Sequence, residues 1–396
     1  MVTEYKTIII GAGMMGSAAA RHLASMDSGV ALIGPAEPEV KSAHNGVFAS
    51  HYDEARITRT IDSDPNWATF ANRSIARYGE IARESGIDFY HEVGCLIWGV
   101  ESGAGAGYVK GALDAATRLG AKVEHLDHEG LQSRFPYFHL PREAQGVWEA
   151  KGAGHINPRR LVAAQCRLAE KNGAVVIREE VSEVKDEGGA VRVLTSKGKS
   201  YTAEKVLVAA GGFQNANRLM PRPLDLKVYG RTVQFFELGP EEADRLVDMP
   251  SVIGKPYSEH EFYYVLPPVR YPDGRVYIKI GGEPDDLLLS DEKALKAWFR
   301  GDGRESARQH LTRIMCNLIP SLKAQSSHSA ACVTSFTPTG CPAIAFTSSP
   351  RIAVLTGGAG AAAKSSDEIG RLGAELIFTG RIQDHAYTTD FRADFL

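Results

Sequence analysis

The chain is short of cysteine, of charge imbalance and of long apolar runs, and each shortage closes off a class of protein. Its 396 residues hold five cysteines (Cys95, Cys166, Cys316, Cys332 and Cys341), an odd number, widely scattered, with no C-x-x-C pair. That spacing supports neither a disulfide frame nor a zinc site, and reads as reduced thiols in a cytoplasmic protein without a metal. The 45 basic and 48 acidic residues leave a formal net charge of −3, which argues against a nucleic-acid or anionic-membrane partner. No window approaches the roughly eighteen consecutive apolar residues of a membrane span. A signal peptide is not expected at the start, because Glu4 and Lys6 run straight into a strand. Internal repeats and low-complexity tails are missing as well. What remains is an ordinary globular composition, 43% hydrophobic and 23% charged, with enough chain for two or three domains.

What is present starts at Lys6. The β-branched run to Ile10 stops at Gly11, Gly13 and Gly16, and a small-residue helix pattern follows from Ser17 to Leu23. Strand, glycine turn and helix form the context that the G-x-G-x-x-G motif needs for dinucleotide binding. Gly11 allows the tight turn, Gly13 lets a pyrophosphate approach the backbone, and Gly16 lets helix and strand pack closely. Met14 and Met15 fall inside the motif and count with it as cofactor-contacting positions. The second strand, Gly29 to Ile33, should end in an acid that holds a ribose hydroxyl. Gly34 and Pro35 stand there instead, so either Glu37 reaches back or backbone groups hold the ribose.

Further along, the segment from Ser42 to Arg59 has little periodicity, and its bland reading is a solvated loop with Asp53 and Glu54 paired to the arginines. Asn66 to Gly86 has helical apolar spacing. A helix from Arg159 to Asn172 is started by Asn157 as cap and Pro158 in the first turn. Lys205 to Gly212 repeats the buried strand ending in glycines, and Arg351 to Leu355 does so a third time before a helix from Ala362 to Phe378. Leu224 to Pro284 alternates as an antiparallel sheet does. The expected fold is therefore α/β, a discontinuous Rossmann-like cofactor domain (1–85, 145–220 and 328–396) beside an α+β substrate domain with a mainly antiparallel sheet (86–144 and 221–327).

Four local stretches carry a more specific likeness. Ser50-His51-Tyr52-Asp53-Glu54-Ala55-Arg56-Ile57-Thr58-Arg59 is the first, and Val276-Tyr277-Ile278-Lys279-Ile280-Gly281 the second. The third runs from Ala331 to Pro342 around Cys332, and the fourth from Gly357 to Ser366 around Gly358, Gly360, Ala361 and Lys364. With the glycine motif, this arrangement resembles the FAD-dependent amine and amino-acid oxidases of the monomeric sarcosine oxidase type, in the D-amino-acid oxidase and glycine oxidase group.

The resemblance implies FAD as cofactor and a role for each matching residue. Arg56 would lie by the flavin, and Arg59 with Lys364 would clamp a substrate carboxylate, a task suited to guanidinium geometry. Lys279 would face the flavin and promote its reaction with oxygen, although pattern alone points such a lysine to solvent. Cys332 matches the cysteine that bonds covalently to the flavin in some relatives, against the bland alternative of a buried inert thiol. Tyr264 matches a substrate-site tyrosine, and His51 with Tyr264 would shape the position and pKa of the amine. Two pocket positions depart from the family: Glu283 stands where a histidine is usual and Thr334 where a tyrosine is. Ser50, Val181 and Gly211 are further expected cofactor contacts.

The implied activity is oxidation of a small N-substituted amino acid to an imine that hydrolyses, with oxygen reduced to hydrogen peroxide, by a monomer acting on a small molecule. The rival readings are a dehydrogenase with another electron acceptor, a nicotinamide enzyme, and a non-catalytic FAD-binding partner subunit.

Overall fold

Ile8, Ile9 and Ile10 are buried on both faces of their strand, and so is every residue of Val30–Ile33, as parallel strands covered by other elements must be. The structure, a computed structural model, describes residues 3–282 and 284–396. In it Thr3–Ile10 pairs in parallel with Val30–Ile33 on one side and with Ser200–Val208 on the other. Val175–Ile177 extends the first edge and Ile352–Thr356 the second, both in parallel. Antiparallel hairpins complete an eight-stranded sheet. Three strands separated by most of the chain thus end side by side at Gly11, Ala209 and Gly357.

Helices Met14–Ala24, Pro158–Lys171 and Ala362–Thr379 cover one face, packing Ala19, Ala20, Leu23, Ile369 and Leu372 on Ile9, Leu32, Leu207 and Leu355. The first and last of these helices touch through small residues. A Cβ on Gly370 would lie 2.5 Å from the Ala18 Cβ, so only glycine permits that approach. A buried ionic staple fixes the same helices in register. Asp367 accepts hydrogen bonds from Arg21, Arg77 and Gln165 at 2.5–2.8 Å, and Glu368 accepts from Arg77 and Arg371. Four helices therefore meet three residues beyond Lys364.

The second sheet has nine strands, antiparallel throughout except where Ser251–Lys255 runs parallel to Cys95–Val100. One face packs Leu96, Val252, Val265, Ile278 and Ile280 against Leu311, Met315 and Leu318 of the helix Glu305–Leu318. Ala144–Glu149 and Ala324–Phe336 belong to this sheet, so sheet membership divides the chain later than residues 145 and 328. A three-stranded sheet of Arg56–Thr58, Gly154–Ile156 and Tyr90–His91 lies apart from both and fixes the arginine segment by its backbone. No helix among the described residues is long and apolar enough to cross a membrane.

Candidate functional site

A cavity of about 680 Å³ lies where the glycine ends of the first sheet meet the strands Ser251–Lys255, Tyr263–Arg270, Val276–Gly281 and Ala324–Phe336 of the second. Gly11, Gly13, Met14 and Met15 line one end, with Gly211, Gly358, Gly360 and Ala361 along the floor. The glycines are there for different physical reasons. A Cβ on Gly11 would stand 2.3 Å from the Ala209 carbonyl oxygen, and φ there is +106°. Gly16 does not line the cavity; its Cβ would fall 1.9 Å from the Gly11 carbonyl oxygen, so it serves the helix–strand approach. Gly13 is open, with nothing nearer than His51 Nδ1 at 4.0 Å from a Cβ placed there.

Two helices begin at this cavity, Met14–Ala24 after Gly13 and Ala362–Thr379 after Ala361, and neither has a side-chain cap. By contrast Asp64, Asp127, Asn157 and Asp291 cap their own helices. Uncapped N–H groups and the positive ends of two helix dipoles suit a pyrophosphate at the first and an anionic ring edge at the second. Beside them His51 Nδ1 and the Tyr52 hydroxyl are buried without a hydrogen-bond partner. Burial, reinforced by Arg159 and Arg178, pushes His51 down to about 3, and burial first of all pushes Tyr52 up to about 12. Both are neutral and cavity-lining, and buried polar groups of this kind call for a ligand. Glycine cradle, open helix starts and orphaned polar atoms together fit a bound dinucleotide.

The second end of the cavity is cationic. Arg59 Nη1 lies 3.1 Å from Asp62 Oδ2, and Lys364 Nζ lies 3.0 Å from the same oxygen. Arg59 also donates to the Ile61 carbonyl at 2.5 Å, and Lys364 to the Trp67 carbonyl at 3.2 Å. Both cations line the cavity, and Asp62 is not among its lining residues. Burial foremost, then Arg59, lowers Lys364 to about 8 against the opposing pull of Asp62.

Between the two ends sits Arg56. It donates to the Ser50 carbonyl at 3.2 Å and lies 3.3 Å from Cys332 Sγ. Its other terminal nitrogen is 2.8 Å from Asp53 Oδ2. That oxygen also takes Lys279 Nζ at 2.6 Å, while Tyr271 donates to Oδ1 at 2.8 Å. Burial opposes the charge on Asp53, yet Arg56 and Lys279 hold its pKa far below the carboxylate range. Burial foremost, then Arg56, lowers Lys279 to about 8, against the opposing pull of Asp53. Tyr264 lines the cavity with its ring over Gly281, and burial raises its pKa, so the phenol keeps its proton. Thr334 Oγ1 accepts from Arg231 Nε at 3.0 Å, and Arg231 pairs with Asp286 at 2.6 Å.

The structure brings most of the sequence-selected residues to one cavity and moves two of them. Glu37 does not line it: both of its oxygens are taken by Arg159, at 2.6 and 2.7 Å, which leaves it unavailable to a ribose. Lys279 does not line it either, because Asp53 and the Ala55 carbonyl claim its ammonium. His51 lines the cavity at the glycine end, against Gly13. Ser50, Val181, Cys332 and Thr334 all line the cavity. Glu283 lies outside the described residues. Sequence reasoning missed Asp62, Arg231 and Lys255. The first stands three residues past Arg59, a readable i,i+3 acid; the other two carry no local signal, because sheet register alone turns them inward.

Fold and site together define a dinucleotide-binding flavoprotein of two-sheet design. Residues 6–376 match the family described as DAO, FAD dependent oxidoreductase, and the chain belongs to that family, with FAD as its cofactor. The monomeric sarcosine oxidase of Streptomyces avermitilis is 32% identical over 219 residues, 54% of this chain and 53% of that protein. The chain therefore aligns with only about half the length of that relative. The monomeric sarcosine oxidase of Bacillus sp. (strain NS-129) is 24% identical over 392 residues, 97% of this chain and 95% of that protein. A tyrosine variant of NikD, an unusual amino acid oxidase essential for nikkomycin biosynthesis, shares the fold in its open form. There the TM-score is 0.82 at 19% identity, over 100% of this chain and 98% of that one. Among the described residues no group of His, Cys, Asp or Glu could hold a metal ion.

Proposed function

We propose that the protein is an oxidase of small N-substituted amino acids that carries a substrate carboxylate on Arg59 and Lys364. The observation behind this reading is their convergence on one Asp62 oxygen at the wall of the FAD cavity. Two cations set against one acid leave a net charge of about +1, which a single carboxylate balances. Arg59 fixes the carboxylate in plane, and Lys364 adds a point charge from the start of the last helix. Tyr264, a neutral phenol, orients the amine from the opposite strand. FAD would be held at Gly11, Gly13 and the start of the last helix, and would supply a two-electron acceptor for the C–H bond next to nitrogen, with oxygen as the final acceptor and hydrogen peroxide as the product. Water then hydrolyses the released iminium to a carbonyl compound and a shorter amine. Neither His51, neutral at the dinucleotide end, nor any other placed side chain is needed to take a proton if the amine binds uncharged.

Cys332 is the residue that would carry a covalent link, its sulfur lining the cavity beside the Arg56 guanidinium. One observation favours a second reading, a dehydrogenase with a different acceptor: Lys279, expected to help oxygen, is bound to Asp53 and does not line the cavity. A single experiment addresses both. N-methylglycine or proline is mixed with the holoenzyme without air, loss of the flavin band near roughly 450 nm is followed, and oxygen is then admitted. Bleaching with rapid recovery and peroxide release supports the oxidase. Bleaching without recovery supports the dehydrogenase, and no bleaching with any amino acid tested refutes both.

A further inference from the structure

Every other lysine or arginine on the cavity wall among the described residues is ion-paired to an acid. Arg56 has Asp53 at 2.8 Å, Arg231 has Asp286 at 2.6 Å, and Arg59 and Lys364 share Asp62. Lys255 is the exception. It ends the strand Ser251–Lys255, lines the same cavity, and forms no ion pair among the described residues. Its ammonium sits instead 3.8 Å from the ring centroid of Phe262 and 5.1 Å from that of Tyr108. Aromatic faces hold a cation in place without cancelling its charge. The backbone beneath is equally fixed: a Cβ on Gly105 would lie 2.1 Å from the Lys255 carbonyl oxygen, and Ala104 N–H donates to the Tyr257 carbonyl at 2.7 Å. Burial, then the Arg59 guanidinium, lowers Lys255 to about 8 against the smaller opposing pull of Glu259, so the lysine feels the carboxylate clamp and is repelled by it. A half-buried cation in that situation is relieved by an anion placed beside it. Asp62 already offsets one of the two clamp charges, so a one-carboxylate substrate satisfies the clamp and leaves Lys255 without an ion-pair partner.

We infer that Lys255 forms a second anion subsite, so that the preferred substrates are N-substituted amino acids bearing a second carboxylate. This rests on the amine-oxidase reading above and names its substrate class. The second carboxylate lies toward Phe262 and Tyr108, whose rings flank the lysine. The first keeps its place on Arg59 and Lys364.

Two measurements on the FAD-loaded protein test this. In the first, glutarate and its monoamide, neither of which is oxidised, are titrated against the flavin absorbance spectrum. In the second, N-methylaspartate and N-methylglutamate are compared with their side-chain amides for anaerobic flavin reduction. The wild type is expected to favour each acid over its amide by about tenfold or more, the size of one charge-assisted hydrogen bond. Lys255→Met, which keeps the length and packing, should reduce that ratio to near one, and Lys255→Arg should keep it. Equal treatment of acid and amide by the wild type overturns the subsite, as does an undiminished ratio in Lys255→Met. The two ideas separate cleanly. Flavin bleached alike by acids and amides sinks the subsite and leaves amine oxidation standing. A glutarate preference abolished by Lys255→Met, with no amine able to bleach the flavin, does the reverse.

Discussion

Lys279 Nζ lies 2.6 Å from Asp53 Oδ2, and both side chains are withdrawn from water, at 1% and 6% exposure. The same oxygen binds Arg56 at 2.8 Å, and the Ala55 carbonyl takes a second lysine proton at 2.5 Å. One carboxylate thus holds two cations, Arg56 on the cavity wall and Lys279 behind it. Removing it strands a buried lysine, and breaking a buried pair from one side typically costs ~3–5 kcal/mol. Asp53→Asn should lower the unfolding free energy by about that much. The double variant Asp53→Asn with Lys279→Met should recover part of the loss, since the ammonium is gone while Arg56 still lacks its acid. Denaturant unfolding of the two proteins measures the coupling, and additive losses would mean the pair contributes nothing as a pair.

The lysine's part in oxygen chemistry is separable from its part in folding. Asp53 keeps Arg56 as a partner when Lys279 is lost, so Lys279→Met should fold and bind FAD. We expect anaerobic flavin reduction by substrate to stay within about threefold of wild type, while reoxidation by oxygen slows by on the order of 100-fold, the scale of one preorganised charge. Stopped-flow traces of the two half-reactions decide it. Equal slowing of both assigns Lys279 to the architecture of Asp53 and Arg56 alone.

The Asp53 segment shows where sequence reasoning stops. Asp53 does pair with an arginine, Arg56, but the pair is buried rather than solvated, and Arg56 lines the cavity. Glu54 chooses Arg159, more than a hundred residues away, which no local pattern announces. Strand, glycine turn and helix were legible at Lys6 to Leu23 because turn chemistry and burial periodicity act over a few residues. The strand Ala324–Phe336 was not, because its outer half is exposed and its pairing with Lys227–Leu238 is set across about a hundred residues. Lys255 was invisible for the same reason: its direction follows from register with Cys95–Val100, not from its neighbours.

Cys332 Sγ stands 3.3 Å from an Arg56 nitrogen, in a strand whose register is fixed by pairing with Arg231. The thiol lines the cavity, and on the proposed reading it is the group that would attach to the flavin. Acid precipitation of the holoprotein should leave the yellow colour in the pellet, and Cys332→Ala should release it to the supernatant. Arg56→Met, which removes the guanidinium 3.3 Å from the sulfur, should slow attachment during reconstitution with free FAD. Colour in the supernatant of the wild type would place Cys332 among the uncoupled thiols.

Arg59 and Lys364 reach Asp62 from segments some three hundred residues apart, and their contributions to substrate binding differ in kind. Arg59→Ala removes a planar two-point contact and should raise KM by on the order of 100-fold. Arg59→Lys should recover only part of that, because an ammonium cannot match both carboxylate oxygens. Steady-state kinetics with one N-methyl amino acid suffices. A KM unaffected by Arg59→Ala would move the carboxylate to another wall.

Lys364 supplies the pH signature of the clamp. Its pKa is lowered to about 8, by burial first and then by Arg59, with Asp62 opposing. Only the ammonium form attracts a carboxylate, so the sign is fixed: affinity is full below about pH 8 and falls as pH rises through that value. Bound carboxylate favours the proton, and the complex should therefore titrate at higher pH than the free enzyme. Binding of a one-carboxylate inhibitor such as acetate, followed by the flavin spectrum from pH 6 to 10, should weaken by roughly tenfold per pH unit on the upper limb. Lys364→Met should bind weakly and lose that limb. Lys255 is lowered to about 8 as well, so a limb that survives in Lys364→Met and disappears in Lys255→Met would assign the carboxylate to the strand lysine and displace Lys364 from the clamp.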